Sequence, residues 1–227
     1  MARQARIIIP HSCHHVSQRG NRGDNIFFEK ADYQYYLSLL KEQLNHFDLS
    51  LYSYTLLPNQ IHLLLEPKSE TSLSRAIGET NRQYTRYINQ KHNWTGHLFQ
   101  NRFFSYAMDE QYALRAARFI ETLPVTAMIT DKPQNFLWSS AKFRIKNIQN
   151  DFLKSFRTFH IDQNWEEFLD RPMDQDELKL IQTHLQTGRP RGGHLFLDRI
   201  EDQLGKPVRP QKRGRKPKSQ KKQAANA

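Results

Sequence analysis

The stretch Leu57-Pro58-Asn59-Gln60-Ile61-His62-Leu63-Leu64-Leu65 decides how this chain reads. Side chains alternate across a β-strand, so Gln60 and His62 project together, and Ile61, Leu63 and Leu65 take the opposite face. Pro58 and Asn59 read as a turn. Residues 49–56, rich in β-formers, lie just before it, so the two runs predict an antiparallel hairpin. In the first of these strands Leu51, Ser53 and Thr55 are expected on one face, and Tyr52, Tyr54 and Leu56 on the other. Two polar groups side by side on a sheet suit a metal or phosphate site. Taken alone, they suit an ordinary hydrogen-bonded pair better.

Working outward, residues 14–19 read as a strand that sends His14 and His15 to opposite faces, followed by a turn over 20–25. Helical spacing of Tyr36, Leu37, Leu40 and Leu44 predicts a helix over 32–46, with Asp32 as its cap. A second long helix is expected over 72–91, a strand region over 96–107, and a third helix over 109–122 that Pro124 ends. The order strand, helix, hairpin, helix, strand, helix is an α+β pattern: a ferredoxin-like antiparallel sheet covered by helices. Beyond Asn150 shorter helices follow over 165–169, 174–185 and 193–204. The last two are read as helix-turn-helix-like or as a plain αα-hairpin. The expected organisation is a body over 1–150, a C-terminal helical extension over 151–204 and a basic disordered tail over 205–227.

The formal net charge of +11 over 227 residues points to an anionic partner, nucleic acid being the commonest. The charge is uneven. Residues 205–227 hold nine Lys or Arg and no Asp or Glu, which leaves the remainder at about +2. Cys13 is the only cysteine, which excludes an internal disulfide and fits a cytoplasmic location. No run approaches the ~20 apolar residues of a membrane span.

Four stretches together resemble the REP-associated tyrosine transposases of the single-tyrosine HUH superfamily. They are His14-His15-Val16-Ser17-Gln18-Arg19-Gly20-Asn21-Arg22, Leu57 to Leu64, Gly96-His97-Leu98-Phe99-Gln100-Asn101-Arg102-Phe103, and Phe119-Ile120-Glu121-Thr122-Leu123-Pro124-Val125. The resemblance spans about the first 140 residues. It implies cleavage and rejoining of single-stranded DNA folded into short hairpins. Two His hold a divalent cation on the scissile phosphate, and a tyrosine attacks phosphorus to give a 5′-phosphotyrosine and a free 3′-OH.

Two positions depart from the family pattern. Gln60 stands where the first metal-binding His belongs. Its amide oxygen can still serve Mg²⁺ or Mn²⁺, so metal binding is expected to be weakened or lost. Phe119 stands where the nucleophilic tyrosine belongs and has no oxygen to form the covalent link. Tyr112 is the candidate substitute; it shares the helix face but lies about 10 Å along the axis.

The candidate DNA contacts are Arg19, Asn21 and Arg22 in the first loop, Arg82 and Arg86 with Tyr84 and Tyr87 on the second helix, and Arg102 among phenylalanines. Arg213 and Arg215 in the tail are similar to an AT-hook core. For the loop and the helix a plain solvated surface remains the rival reading. The function expected is recognition of structured single-stranded DNA, such as a REP-like hairpin, without tyrosine-mediated cleavage. Two alternatives stay open: an active metal-dependent transposase with a relocated tyrosine, and a regulatory DNA-binding protein.

Overall fold

A computed structural model describes residues 6–156 and 164–210. The core order is β1 (Cys13–Arg19), α1 (Lys30–His46), β2 (Leu49–Leu57), β3 (Gln60–Pro67), α2 (Ser72–His92), β4 (Phe104–Met108) and α3 (Glu110–Thr126). The sheet runs β2-β3-β1-β4 and every pairing is antiparallel. Each of the α1 and α2 crossovers skips one strand, which is the ferredoxin-like arrangement.

The two faces of the sheet carry different layers. Val16, Ile61, Leu63, Leu65, Tyr54 and Leu56 pack under α1 and α2, against Tyr36, Leu40, Leu44, Ile77, Tyr84 and Ile88. Leu57, Leu64, Tyr106 and Met108 face the other way, under α3. Ala113, Ala116 and Ala117 let α3 approach closely, and Phe119, Ile120 and Leu123 fill the gap to the sheet. Each fully buried large side chain here is worth about 1.5–3 kcal/mol of transfer free energy.

The later helices are α4 (Ala141–Ile145), α5 (Trp165–Asp170), α6 (Gln175–Thr187) and α7 (His194–Leu204). Trp165, Leu169 and Ile181 join the α3 side of the core. No helix among the described residues is long and apolar enough to cross a membrane. Cys13 is buried, and burial pushes its thiol pKa up. The tail residues Arg213 and Arg215 lie outside the described residues.

Several expectations are corrected. A bulge lies between Leu51 and Ser53 of β2, so Leu51 joins Tyr54 and Leu56 in the α1/α2 core while Tyr52 turns to the α3 side. Strict alternation put these two residues on the wrong faces. Asp32 is not the cap of α1. It sits in the first turn and accepts from the backbone N–H of Phe28 and of Glu29, while Glu29 occupies the cap position.

Of residues 96–107, only Phe104 onward is strand, and Phe99 makes an isolated bridge to Gly20. Pro124 lies inside α3 rather than beyond it. Proline lacks the N–H that would reach the Ile120 carbonyl four residues back. Thr55 Oγ1 donates to that carbonyl instead, at 2.7 Å, so the helix runs on without an orphaned acceptor.

The α6–α7 pair is neither an αα-hairpin nor helix-turn-helix-like. The linker between them pairs Arg191 with the backbone of β4. Ile181 of α6 packs with Tyr106 and Met108, whereas Ile200 of α7 packs with Ala107 on the opposite side of that strand.

Candidate active site

The site grows from strand register. On β3, Gln60 and His62 share one face, and β1 lies alongside with Arg19 opposite Gln60 and Ser17 opposite His62. His15, two residues before Ser17, points to the same side. Its Nε2 lies 3.0 Å from His62 Nδ1, and both rings are buried. His62 Nε2 lies 3.4 Å from Gln60 Oε1. Phe119 of α3 closes the pocket, with its ring 5.7 Å from that of His15 and 5.9 Å from that of His62. The Tyr106 ring of β4 lies tilted against His15, at 5.7 Å.

Burial pushes the pKa of His15 well below its ordinary value, with the neighbouring His62 adding to the effect. Burial, helped by the positive charge of Arg19, pushes His62 down to about 3. Both imidazoles are therefore neutral near pH 7, and one must donate to the other. If His15 Nε2–H donates, His62 carries its proton on Nε2 and offers it to Gln60 Oε1, and the unpaired nitrogen, His15 Nδ1, is left with a bare lone pair. The reverse tautomer leaves a buried N–H orphaned and sets the His62 lone pair against the Gln60 oxygen. The first is favoured at both ends.

In that state His62 has no lone pair for a cation. The Gln60 amide oxygen is neutral and Arg19 adds positive potential. Among the described residues no group of three or more His, Cys, Asp or Glu is placed to hold a metal. A divalent cation here would need His62 to give up the proton it offers to Gln60, leaving one imidazole nitrogen and the Gln60 amide oxygen as its donors.

The structure thus brings Gln60, His62, Arg19 and Phe119 together. Asn21 and Arg22 follow in a short 3-10 turn at the same end of the sheet, with the Asn21 N–H donating to the Leu98 carbonyl. Gly20 is required there, because a Cβ would fall 2.0 Å from the Asp24 carbonyl oxygen. Tyr112 sits in the first turn of α3 with the guanidinium groups of Arg191 and Arg115 over its ring, at 4.3 and 5.1 Å. Arg82 and Arg86 lie on the outer face of α2 with the sheet between them and His62, and Arg82 is paired with Glu79. Arg102 is exposed, beside the edge strand β4.

Three features escaped sequence reasoning. His15 is a direct partner of His62. Tyr106 is the tyrosine nearest the pair, although it is only 1% exposed and burial raises its pKa. Glu121, fully buried, accepts from Ser53, Ser140, Arg144 and Trp165. Only the parity of His15 carried a signal for any of these.

Residues 11–122 match the family model described as transposase, IS200-like. Just under half of the chain is thus similar to the IS200-like transposases. The matched segment runs from the residues before β1 to α3 and so contains Gln60, His62 and Phe119. A solved structure of a REP-associated tyrosine transposase bound to a REP hairpin superposes on this chain with a TM-score of 0.55 at 14% identity, covering 77% of this chain and 100% of that one. That likeness concerns the fold. A candidate transposase from Deinococcus radiodurans R1 gives a TM-score of 0.37 at 16% identity, over 53% of this chain and 96% of that one. No curated protein matches the chain.

Proposed function

We propose that this transposase-family chain binds a structured, partly single-stranded DNA element of the REP-hairpin kind and has lost tyrosine-mediated strand cleavage. One observation carries the reading: the aromatic ring packed against the His15–His62 pair belongs to Phe119, which has no hydroxyl to attack phosphorus. The rest of the pocket agrees with it. His62 is held in the tautomer that donates toward Gln60, and the affinity for Mg²⁺ or Mn²⁺ is weakened or lost with it. Tyr106 stands near the pair but is closed to a phosphodiester by burial.

Binding, in contrast, needs only what remains. Arg19, Asn21 and Arg22 offer charge and hydrogen bonds at the mouth of the site, and the solved relative of the same fold holds a REP hairpin. The test uses the full chain with a labelled DNA hairpin in Mn²⁺ and in EDTA, read by anisotropy and by denaturing gel. The expected result is hairpin-selective binding that EDTA does not abolish, with no covalent adduct. A metal-dependent adduct would overturn the loss of cleavage, and equal affinity for an unstructured strand would overturn the hairpin preference.

A further inference from the structure

A concentration of positive charge lies outside the His62 pocket, along the outer edge of β4. There a cleft of about 470 Å³ is walled by the segment before β4, the α6–α7 linker and the chain leaving α7. Five cations line it, Arg6, Arg102, Arg189, Lys206 and Arg209, and no lining side chain is acidic. Two are engaged: Arg6 donates to the Phe103 carbonyl, and Arg209 pairs with Asp198 and Glu201. Arg102, Arg189 and Lys206 are exposed and have no acidic partner among the described residues. Gathering like charges around one cleft costs energy unless an anion shares it. A second observation points the same way. Ser105, which also lines the cleft, is 4% exposed and its hydroxyl has no hydrogen-bond partner.

The cleft is in line with the His62 pocket. Ser17 is the register partner of His62 on one side and of Phe104 on the other, so the three residues form one row on one face of the sheet. Two strand spacings, about 10 Å, separate the ends of that row. Phe104 is 40% exposed and lines the cleft, so an aromatic face stands between the pocket and the cations. Seven more Lys or Arg follow in residues 211–227, directly after the segment that forms the cleft wall.

The geometry points to a second DNA contact, built by this chain's own C-terminal extension. The cleft holds the sugar–phosphate backbone of the single strand that flanks the hairpin, with phosphates on Arg102, Arg189 and Lys206 and a base on Phe104. Charged groups for the backbone and an aromatic for a base are the combination that single strands require. This inference rests on the DNA-binding reading above and adds the path of the flank.

The experiment compares a labelled hairpin with and without a single-stranded extension, titrated with the full chain over a salt series. The wild type is expected to prefer the extended probe. Arg102→Glu with Arg189→Glu should remove that preference, weakening the extended probe about tenfold and lowering its salt slope by about 1.4, two phosphates' worth. Arg102→Gln with Arg189→Gln should move the same way by less, and Lys30→Glu with Lys41→Glu, exposed on α1 across the sheet, should leave the preference intact. A doubly substituted chain with wild-type preference and slope would overturn the inference while the hairpin reading stood. An equal loss on the bare hairpin would overturn the flank assignment. A wild type that binds neither probe would bring down the DNA reading itself.

Discussion

Two buried polar clusters meet α3 on the same face of the sheet, and they are finished very differently. Around Glu121 every oxygen is used. One accepts from Ser53 at 3.0 Å, Ser140 at 2.5 Å and Arg144 at 2.9 Å, and the other from Trp165 Nε1 at 2.7 Å. Arg144 reaches on to the carbonyls of Tyr52 and Lys154. The cluster thereby ties β2, α4 and α5 to α3. Two residues earlier on the same helix, Phe119 covers a histidine pair that is joined by one hydrogen bond, reaches Gln60 by a longer second one and leaves His15 Nδ1 unpartnered. A fully satisfied buried network belongs to the architecture; an unfinished one marks a place where a ligand once supplied, or still supplies, the missing partners. In this chain the Glu121 cluster holds the C-terminal helices on the domain, and the histidine pocket keeps one buried nitrogen without a partner.

The largest effect that would sharpen this contrast is acid. His14, His15 and His62 are buried and neutral, with His14 pushed down to about 4 and His62 to about 3 by burial. Unfolded, each takes a proton near pH 6.5. Their contribution to stability is thus fully present above pH 6.5 and is lost as pH falls through that value toward the folded pKa. Each costs about 1.4 kcal/mol per pH unit in that window. Denaturant titrations from pH 7 to pH 4.5 should therefore show a steep loss, and a His15→Phe, His62→Leu chain should lose stability less steeply. Parallel pH profiles would remove the histidines from the account.

Next in size is Glu121→Ala. It strips the counter-charge from the buried Arg144 guanidinium, whose pKa burial already lowers, and should destabilise by about 3–5 kcal/mol. The same denaturant experiment reads it. A cost under about 1 kcal/mol would mean that the cluster does not hold the C-terminal helices.

A smaller effect is expected for His15→Phe alone, about 1 kcal/mol or less, because the orphaned nitrogen leaves with the hydrogen bond. It should also free His62 Nδ1, so the His62 pKa followed by NMR should move. An unmoved pKa would break the proposed tautomer. Smallest is Arg82→Ala, which removes an exposed pair with Glu79 and should leave the denaturation midpoint where it was.

Much of the fold was legible because it rests on local patterns. Gln60 and His62 share a face through simple alternation, and the hairpin, α1 and α2 follow from spacing and turn residues. What was not legible depends on partners distant in sequence. The bond between His15 and His62 requires knowing that β1 lies beside β3. The bulge in β2 reverses Leu51 and Tyr52 without any glycine to announce it. Pro124 reads as a helix end unless one knows that Thr55, 65 residues from Ile120, takes the freed carbonyl. Glu121 inside an apolar helix looks like a misplaced charge until Arg144 and Trp165 arrive from later helices.

The most direct test of the central claim sets the wild type beside a Gln60→His, Phe119→Tyr chain. Both are incubated with a labelled hairpin carrying a single-stranded flank and Mn²⁺, and read on a denaturing gel. The account predicts that both bind the DNA and that only the substituted chain acquires a covalent label. A labelled wild type, with the link traced by digestion to one of its own tyrosines, would contradict it.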